Sequence, residues 1–417
     1  MVETQSALIT NDAVVLGLLA VILGFIFKTS NSERPALKTF YKYVPALLLC
    51  YFLPSLLNTF GIVDGNKSNV YYVASRYLLP ACLILLTISI DLKAILNLGP
   101  KALIMFLVGT LGIVIGGPLA ILVVSAVDPT IVGGHGPDAV WRGMTTVAGS
   151  WIGGGANQAS MKEMFEVGGD IFSVMVTVDV IVANIWMAVL LLMAANHKKI
   201  DAATGADTSA IEDLKQRVEK YHAEHARMPT LNDYMTLLAI AFGITGLAHF
   251  CADFLGPFFA NNYAWAKEYS LTSKFFWLIV ISTTIGISLS FTKVRQIEAF
   301  GASKVASSFL YILVASIGLH MNVTAIFDNP GLFLVGAVWM LVHAGLMLLV
   351  AKLIKAPLFY MAVGSQANVG GAASAPVVAS AFHPSLAPVG VLLAVLGYGV
   401  GTYMAYICGL MLQAVAP

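Results

Sequence analysis

Long apolar segments alternate with short polar connections along almost the whole chain. A run of about 18 or more apolar residues can cross a bilayer as a helix. The pattern therefore predicts an all-α polytopic membrane protein. The segments lie near residues 13–28, 43–63, 72–90, 102–127, 139–161, 171–196, 233–257, 274–292, 305–327, 331–354, 357–381 and 388–413.

One long polar stretch, residues 197–232, separates six apolar segments from the other six. Four apolar residues recur in it at helical spacing among charged ones, which predicts a short amphipathic connector helix on the cytoplasmic side. They are Ile211, Leu214, Val218 and Tyr221. We therefore expect a first repeat over 1–196, with scaffold helices followed by a core, a linker over 197–232, and a second repeat over 233–417.

Short phrases recur in the same order in both halves. ISIDL at 88–92 resembles ASIGL at 315–319, and LGPKALIMFLVG at 98–109 resembles DNPGLFLVGAV at 328–338. Each match alone is weak, because apolar segments resemble one another by chance. Their common order indicates two related repeats.

The fifth apolar segment of each half contains a glycine-rich phrase. Residues 149–161 read GSWIGGGANQASM, and residues 364–377 read GSQANVGGAASAPV. Glycine permits backbone conformations closed to other residues, and non-helical backbone at membrane depth is tolerated only where protein buries it or water wets it. Matched breaks in two halves point to the binding site of a transporter.

The distribution of basic residues favours re-entrant rather than spanning glycine-rich segments. Lys and Arg collect on the cytoplasmic side of a membrane. If both segments enter and leave on one side, and the N-terminus is outside, six basic residues lie outside, which leaves 17 of the 23 inside. The outer ones are Lys67, Arg76, Arg142, Lys162, Lys267 and Lys274. Each repeat then has about five spans, so the second has the inverted topology; a helix that spans but unwinds midway stays an alternative.

Composition supports the membrane assignment and excludes several classes of protein. The 417 residues are 58% hydrophobic and 11% charged, with a net charge of +1, so we expect no nucleic-acid partner. The 4 Cys form no paired framework. The chain has no phosphate-binding GxxxxGK[ST] motif and no grouping of catalytic residues, so we expect neither an enzyme nor a cofactor.

The two breaks supply the candidate binding residues. Exposed backbone groups and neutral side chains there can contact a solute, and oxygen ligands without thiolates suit a hard cation such as sodium. The predicted substrate contacts are Ser150, Gly153, Gly154, Gly155, Asn157, Ser365, Gln366, Gly370, Gly371 and Arg142. The predicted ion ligands are Asp179, Asn157, Gln158, Ser160, Asn184, Asn368 and Ser374. The alternative is that small residues here only allow close helix packing.

Asp179 is a lone carboxylate in the apolar stretch SVMVTVDVIVANIW. An intramembrane carboxylate is costly and is a functional hypothesis by default. It can bind sodium or carry a proton, or it can be a structural group bonded to a broken helix. The aligned position in the second half is Gly397, which favours one coupling carboxylate over a pair.

Other polar residues in apolar segments have two interpretations each. Arg76 and Arg142 either balance an anionic substrate or extend to lipid headgroups. His320 and His343 either carry protons or pack with their hydrogen bonds satisfied. Trp186 lies near a predicted helix end, like an interface anchor, whereas Trp151 adjoins the first break and is a candidate to line a cavity.

The phrases GSWIGGGANQ, TVDVIVANIW and GSQANVGGAASAP resemble the membrane proteins of the domain-of-unknown-function 819 family, over nearly the whole chain. That family is distantly similar to the sodium–glutamate and 2-hydroxycarboxylate symporters of the cation–proton antiporter and anion transporter superfamily. The resemblance implies an inverted-repeat secondary transporter in which glycine-rich hairpins hold substrate and sodium, here residues 153–158 and 366–372. It also suggests a homodimer held by scaffold helices.

The first functional hypothesis is therefore sodium-coupled symport, by alternating access, of a small organic anion such as an amino acid, a dicarboxylate or a short anionic peptide. Its partners are that solute, the coupling cation and the lipid bilayer, and its location is the inner cell membrane. The alternative is a cation–proton antiporter that uses Asp179. A channel is a third hypothesis, which two blind-ended hairpins disfavour.

Overall fold

The computed structural model describes residues 8–44, 46–65, 67–206, 229–321, 329–383 and 386–417. Within them the secondary structure is helical apart from one isolated bridge, Ile9 to Val63. The α-helices are α1 (Asp12–Ser30), α2 (Pro35–Tyr43), α3 (Ala46–Thr59), α4 (Val70–Ile88), α5 (Leu92–Leu96), α6 (Pro100–Val127), α7 (Val140–Met164), α8 (Gly169–Ala195), α9 (His197–Thr204), α10 (Leu231–Asn262), α11 (Lys274–Ser290), α12 (Ala302–Gly318), α13 (Leu332–Leu353), α14 (Leu358–Val369), α15 (Gly371–Phe382) and α16 (Ala387–Val415). Short 3₁₀ turns cover Pro129–Ile131, Gly136–Asp138, Ala264–Lys267 and Lys293–Phe300.

Seven of the described helices are long and apolar enough to cross a membrane, or up to nine spans if each of two bent pairs counts as one. The seven are α1, α4, α6, α8, α10, α13 and α16. Three further apolar segments form shorter helices: α3 has 14 residues, and α11 and α12 have 17 each. The protein is therefore a polytopic, all-helical membrane protein, as the hydropathy pattern predicts.

The connection between the halves begins with α9, which ends at Gly205 in the left-handed conformation. The predicted amphipathic helix around Ile211 to Tyr221 lies outside the described residues. Thr230 and Asp233 then cap α10 reciprocally, each side chain bonding the other's backbone, so that helix begins at Leu231.

The helices pack as two groups. Helices α1, α3, α4, α10, α11 and α12 contact mainly one another, and we call them the scaffold group. Helices α6, α7, α8, α13, α14, α15 and α16 form the core group, in which α7 lies along α16 and α6 lies along α13. Fewer contacts join the groups, mostly from α4 and α11 to α16 and α7.

The packing is reciprocal between the halves of the sequence. The second segment of the first half, α3, lies against the third of the second half, α12. Likewise α11, the second segment of the second half, lies against α4, the third of the first. The fourth segments, α6 and α13, lie against each other. Two repeats of the same helix order would produce this arrangement; that they have inverted topology stays a prediction at this point.

Candidate functional site

Helix α7 reverses direction at Gly154. This residue has φ 72° and ψ −171°, a conformation essentially restricted to glycine. Beyond it the chain folds back, since the Arg142 guanidinium donates to the carbonyl of Phe165. A straight helix of these 25 residues would hold its ends about 35 Å apart. Residues 140–164 therefore form a helical hairpin, which we call hairpin 1.

Helices α14 and α15 form a second hairpin, residues 358–382, which we call hairpin 2. Its turn lies at Gly370 and Gly371, and Gly371 has φ 58°. The ring of Phe359, at the start of the first arm, packs edge-on against Phe382, at the end of the second, with centroids 5.4 Å apart. Both glycine-rich phrases thus form turns between two antiparallel arms.

The tips of the two hairpins touch. A Cβ atom built on Gly371 would lie 4.0 Å from the Cα of Gly154. The contacts with α16 show the direction from which each hairpin comes. Hairpin 2 packs on Gly390, the tip of hairpin 1 packs on Gly401, and the base of hairpin 1 packs on Gly409. Gly390 and Gly409 are about 28 Å apart along the helix. The hairpins therefore reach the tip contact from opposite ends of α16.

Asn157 binds hairpin 1 to α16. Its Nδ2 donates to the carbonyls of Gly153 and Tyr398, each at 3.1 Å, and its Oδ1 accepts from Thr402 at 2.6 Å. Both the nitrogen and the oxygen of this amide therefore have partners within the protein. Asn157 is a predicted ion and substrate ligand that the structure uses as a clamp.

Asn368 makes the corresponding clamp between hairpin 2 and α6. Its Nδ2 donates to the carbonyls of Gly364 and Phe106, each at 2.9 Å, and its Oδ1 accepts from Thr110 at 2.7 Å. Each asparagine thus joins its hairpin to a neighbouring helix by two hydrogen bonds and makes a third within the hairpin. Thr402 and Thr110 are site residues that the sequence pattern does not predict.

Asp179 lies at the middle of α8 against hairpin 1. Its Oδ1 accepts from the indole of Trp151 at 2.7 Å, and its Oδ2 accepts from Gln158 at 2.9 Å. Ser150, next to Trp151 in hairpin 1, interacts with the same carboxylate. The Gln158 Oε1 in turn accepts from Tyr51 of α3 at 3.0 Å. The donors on this buried carboxylate are therefore neutral, and Trp151 bonds the carboxylate rather than lining a cavity.

Gln366, near the tip of hairpin 2, has an unsatisfied atom. Its Nε2 donates to Ser374 at 2.7 Å across the turn. Its Oε1 is buried and has no hydrogen-bond partner among the described residues. A side chain at Gly370 would collide with both Gln366 and Ser374, so glycine keeps this spot compact. The Oε1 atom of Gln366 is thus a buried acceptor that could bind a donor or a cation.

A buried hydrogen-bond chain fixes hairpin 2 to its neighbours. Trp186 donates to Ser365 at 2.8 Å, Ser365 pairs with Nε2 of His343 at 2.8 Å, and Nδ1 of His343 lies 3.0 Å from the carbonyl of Gly109. A carbonyl only accepts, so Nδ1 carries a proton, and in the neutral imidazole Nε2 accepts from the Ser365 hydroxyl. His343 is thus a satisfied packing residue, and Trp186 is a buried donor rather than an interface anchor.

Three predicted ligands lie away from the tips or bond within their own helix. Arg142 is 12 residues before Gly154, about 18 Å along the arm, and closes the base of hairpin 1. Ser160 donates to the carbonyl of Ala156, and Asn184 to that of Val180. The pattern of one segment does not reveal which way such side chains point. Gly155 is at the tip, where a Cβ would face Leu310 of the scaffold at 3.7 Å.

A crevice of about 230 Å³ runs between the groups toward the tips. Its scaffold wall contains Leu86, Ser89, Glu298 and Lys304, and its core wall contains Ala372, Val395 and Tyr398. Ala372 follows Gly371 directly, and a Cβ at Gly154 would lie 3.6 Å from the ring of Tyr398. The crevice therefore ends beside the tip contact.

Comparison with known proteins identifies the family. A family model described as "Protein of unknown function (DUF819)" matches residues 17–415. The chain belongs to the DUF819 family. This DUF819 protein is also similar to the "Uncharacterized membrane protein YjcL" of Bacillus subtilis (strain 168), with 23% identity over 364 residues that cover 82% of this chain and 84% of the relative. The printed name of this relative agrees with a membrane protein, and neither comparison names a cargo.

Proposed function

We propose that this protein is a secondary active transporter that couples sodium to the symport of a small organic anion by alternating access. The observation that carries the proposal is the contact between Gly154 and Gly371, the tips of two broken elements at the middle of α16. Broken helices that meet near the membrane midplane are typical of transporter binding sites. An amino acid, a dicarboxylate or a short anionic peptide fits such a site.

Inverted repeats are part of the proposal. The opposite approach of the hairpins and the reciprocal packing of the halves both support two repeats of opposite orientation. The inverted topology is also supported by the distribution of basic residues, because it places 17 of the 23 on the cytoplasmic side. The resemblance to sodium–glutamate and 2-hydroxycarboxylate symporters belongs to the same proposal, as do the inner cell membrane and a homodimer.

The helix ends at the tips favour an anionic solute. The second arm of each hairpin begins at the tip, and no side chain caps the start of α15. Free backbone N–H groups at a helix N-terminus, together with the helix dipole, attract carboxylates. The crevice wall itself carries one charge of each sign, Lys304 and Glu298, so the preference for an anion rests on the helix ends.

The oxygen atoms around the tips supply the proposed cation site. The unpartnered Oε1 of Gln366 lies on the side chain that binds Ser374, so the two residues can offer oxygens to one ion. Sodium prefers such hard neutral ligands. Asp179 adds a negative charge to the same core group, and its carboxylate is bonded to Gln158 and Trp151 of hairpin 1.

The test is uptake into proteoliposomes preceded by a ligand screen. A solute and sodium that both bind the native state raise its thermal stability, each more strongly in the presence of the other. Uptake of that solute should then require an inward sodium gradient and disappear when the gradient is collapsed. Uptake that is indifferent to sodium would reject the coupling.

A cation–proton antiporter is the second candidate, and Asp179 is the observation that favours it. A buried carboxylate held by neutral donors can exchange a proton for a cation. Proton movement driven by sodium or potassium, in vesicles without organic solute, would support antiport over symport.

A further inference from the structure

The base of hairpin 1 contains a buried charge cluster that the proposed binding site does not use. The Arg76 guanidinium lies 2.7 Å from Oε2 of Glu163, and Tyr71 donates its hydroxyl to Oε1 of the same carboxylate. Lys162 lies 3.1 Å from the Tyr71 hydroxyl and 3.8 Å from Oε1 of Glu163. The Glu163 side chain is only 12% exposed.

This cluster joins the scaffold group to the core group. Arg76 and Tyr71 belong to α4, whereas Lys162 and Glu163 belong to hairpin 1. A second scaffold helix supports the arginine from behind, since its guanidinium lies 4.5 Å from the ring centroid of Phe275 in α11. The ring of His320, which follows α12, packs against Tyr71 at 4.6 Å.

The crevice between the two groups lies at the other end of α4. Leu86 and Ser89 line the crevice, whereas Arg76 is 13 residues before Ser89, about 20 Å away along the helix. The scaffold and core groups are therefore in contact through the charge cluster at one end of α4 and separated by the crevice at the other. Alternating access requires these two ends to open in turn.

The backbone of α4 is irregular at the arginine. Residues Ala74–Leu78 form a π-helical turn, and the carbonyl of Arg76 accepts from Nε2 of His249 in α10 at 2.8 Å. Single π turns in α-helices are frequent at functional sites. Here the turn and its bond to α10 hold Arg76 on the scaffold, facing hairpin 1.

We propose that Arg76, Tyr71 and Glu163 form a gate that closes the outer side of the transporter. When hairpin 1 moves away from α4, Glu163 separates from Arg76 and Tyr71. This inference rests on the proposed function, because a gate has meaning only for alternating access. Sequence-based topology puts Arg76 outside and Lys304 inside, so the structure corresponds to a conformation open toward the cytoplasm.

The experiment measures outside access to a cysteine at the level of the tips. Leu310 faces Gly155 from the scaffold side, so Leu310→Cys serves as the reporter. Cys50, Cys82 and Cys408 are buried, and the half-buried Cys251 is replaced by Ser. Intact cells are treated with a membrane-impermeant thiol reagent. The background without Leu310→Cys corrects for labelling of the native cysteines.

Glu163→Gln should raise the labelling rate about tenfold, because losing the ion pair shifts the population toward the outward-open state. Tyr71→Phe, which removes one hydroxyl, should raise it less. The exchanged double variant Arg76→Glu with Glu163→Arg should return the rate toward that of the reporter alone. In inverted vesicles Glu163→Gln should lower the rate.

The control uses an exposed ion pair of the same length between two scaffold helices. Lys274 lies 2.7 Å from Asp253, between α11 and α10, so Asp253→Asn should leave the labelling unchanged. Labelling that is unchanged in both Glu163→Gln and Tyr71→Phe, in folded protein, would overturn the gate. Such a result together with sodium-driven uptake would leave the proposed function intact. Faster labelling without any solute uptake would support the gate and reject the symport.

Discussion

Asn157 and Asn368 stand on opposite hairpins and make the same set of hydrogen bonds. Each donates to the carbonyl four residues before it and to a carbonyl on a neighbouring helix, Tyr398 of α16 or Phe106 of α6. Each accepts from the threonine one turn further along that helix, Thr402 or Thr110. Asn157 lies three residues after Gly154, and Asn368 lies three before Gly371. The pair therefore fixes both tips against the core.

The clamps predict that Asn157→Ala destabilises the protein. The change removes one partner of the Thr402 hydroxyl, which keeps Thr283 at 3.3 Å, and one donor from each of two carbonyls. Buried hydrogen bonds in membrane proteins contribute about 1 kcal/mol each. We expect a loss of about 1 to 3 kcal/mol in the free energy of unfolding, measured by thermal or denaturant unfolding in detergent.

Asn368→Ala should lose a similar amount, and Thr402→Val part of it. Asn184→Ala is the matched control, because that amide bonds only within its own helix at 2.7 Å. An Asn157→Ala protein as stable as the wild type but unable to bind sodium would instead restore the sequence-based interpretation of Asn157 as a direct ligand.

The glycines at the two tips should tolerate alanine to different degrees. Gly154 has φ 72° with extended ψ, which is essentially closed to other residues, whereas Gly371 has φ 58°, close to the φ of 50° that Glu166 and Lys355 adopt in this chain. We expect Gly154→Ala to cost about 1 to 3 kcal/mol of stability and to abolish uptake, and Gly371→Ala to cost less.

Gly17→Ala in α1 is the control for this series. An added Cβ there meets nothing within 4 Å, and the backbone of Gly17 is not in a positive-φ conformation. Its unfolding temperature should equal that of the wild type or exceed it slightly, because alanine favours the helix. Equal losses at Gly154 and Gly17 would mean that the turn does not depend on glycine.

The sequence predicts the breaks well and the bonding of individual side chains poorly. Glycine runs in apolar segments, and Asp179 as a carboxylate among them, are visible because they conflict with their surroundings. Which neighbour a polar side chain meets depends on helix packing, which one segment does not encode. The sequence thus indicates Asn157 and Asn368 as ligands but not their hydrogen bonds to α16 and α6, and it does not reveal that Arg76 pairs with Glu163.

Two threonines show why the sequence does not reveal every residue of the site. Thr110 and Thr402 bond to the clamps, yet threonine is common in membrane helices, where its hydroxyl often bonds the preceding turn. Nothing in the pattern separates these two from the others. The fold class needs only hydropathy, whereas the site needs the contacts between α16, α6 and the hairpins.

Asp179→Asn should abolish transport without unfolding the protein. Asparagine has the same shape, and its Oδ1 can still accept from Trp151, while a rotated Gln158 amide can bond its Nδ2. We expect wild-type elution in size-exclusion chromatography, no sodium-dependent rise in the unfolding temperature, and no uptake at any pH. Uptake retained at wild-type rate would remove Asp179 from the coupling mechanism.

Gln366→Met separates a ligand site from a packing role at hairpin 2. The Oε1 of Gln366 is buried without a partner, so a methionine of similar length removes an unsatisfied acceptor while it breaks only the bond to Ser374. We expect stability without sodium to change by less than about 1 kcal/mol, since the gain and the loss offset each other. The sodium-dependent rise in unfolding temperature should disappear, because the ion loses an oxygen ligand.

Gln158→Met is the control for this change. Both ends of the Gln158 amide are bonded, to Tyr51 and Asp179, so this variant should be less stable than the wild type in the absence of sodium. If Gln366→Met keeps the full sodium response, the cation does not bind at hairpin 2, and Asp179 becomes the site to pursue.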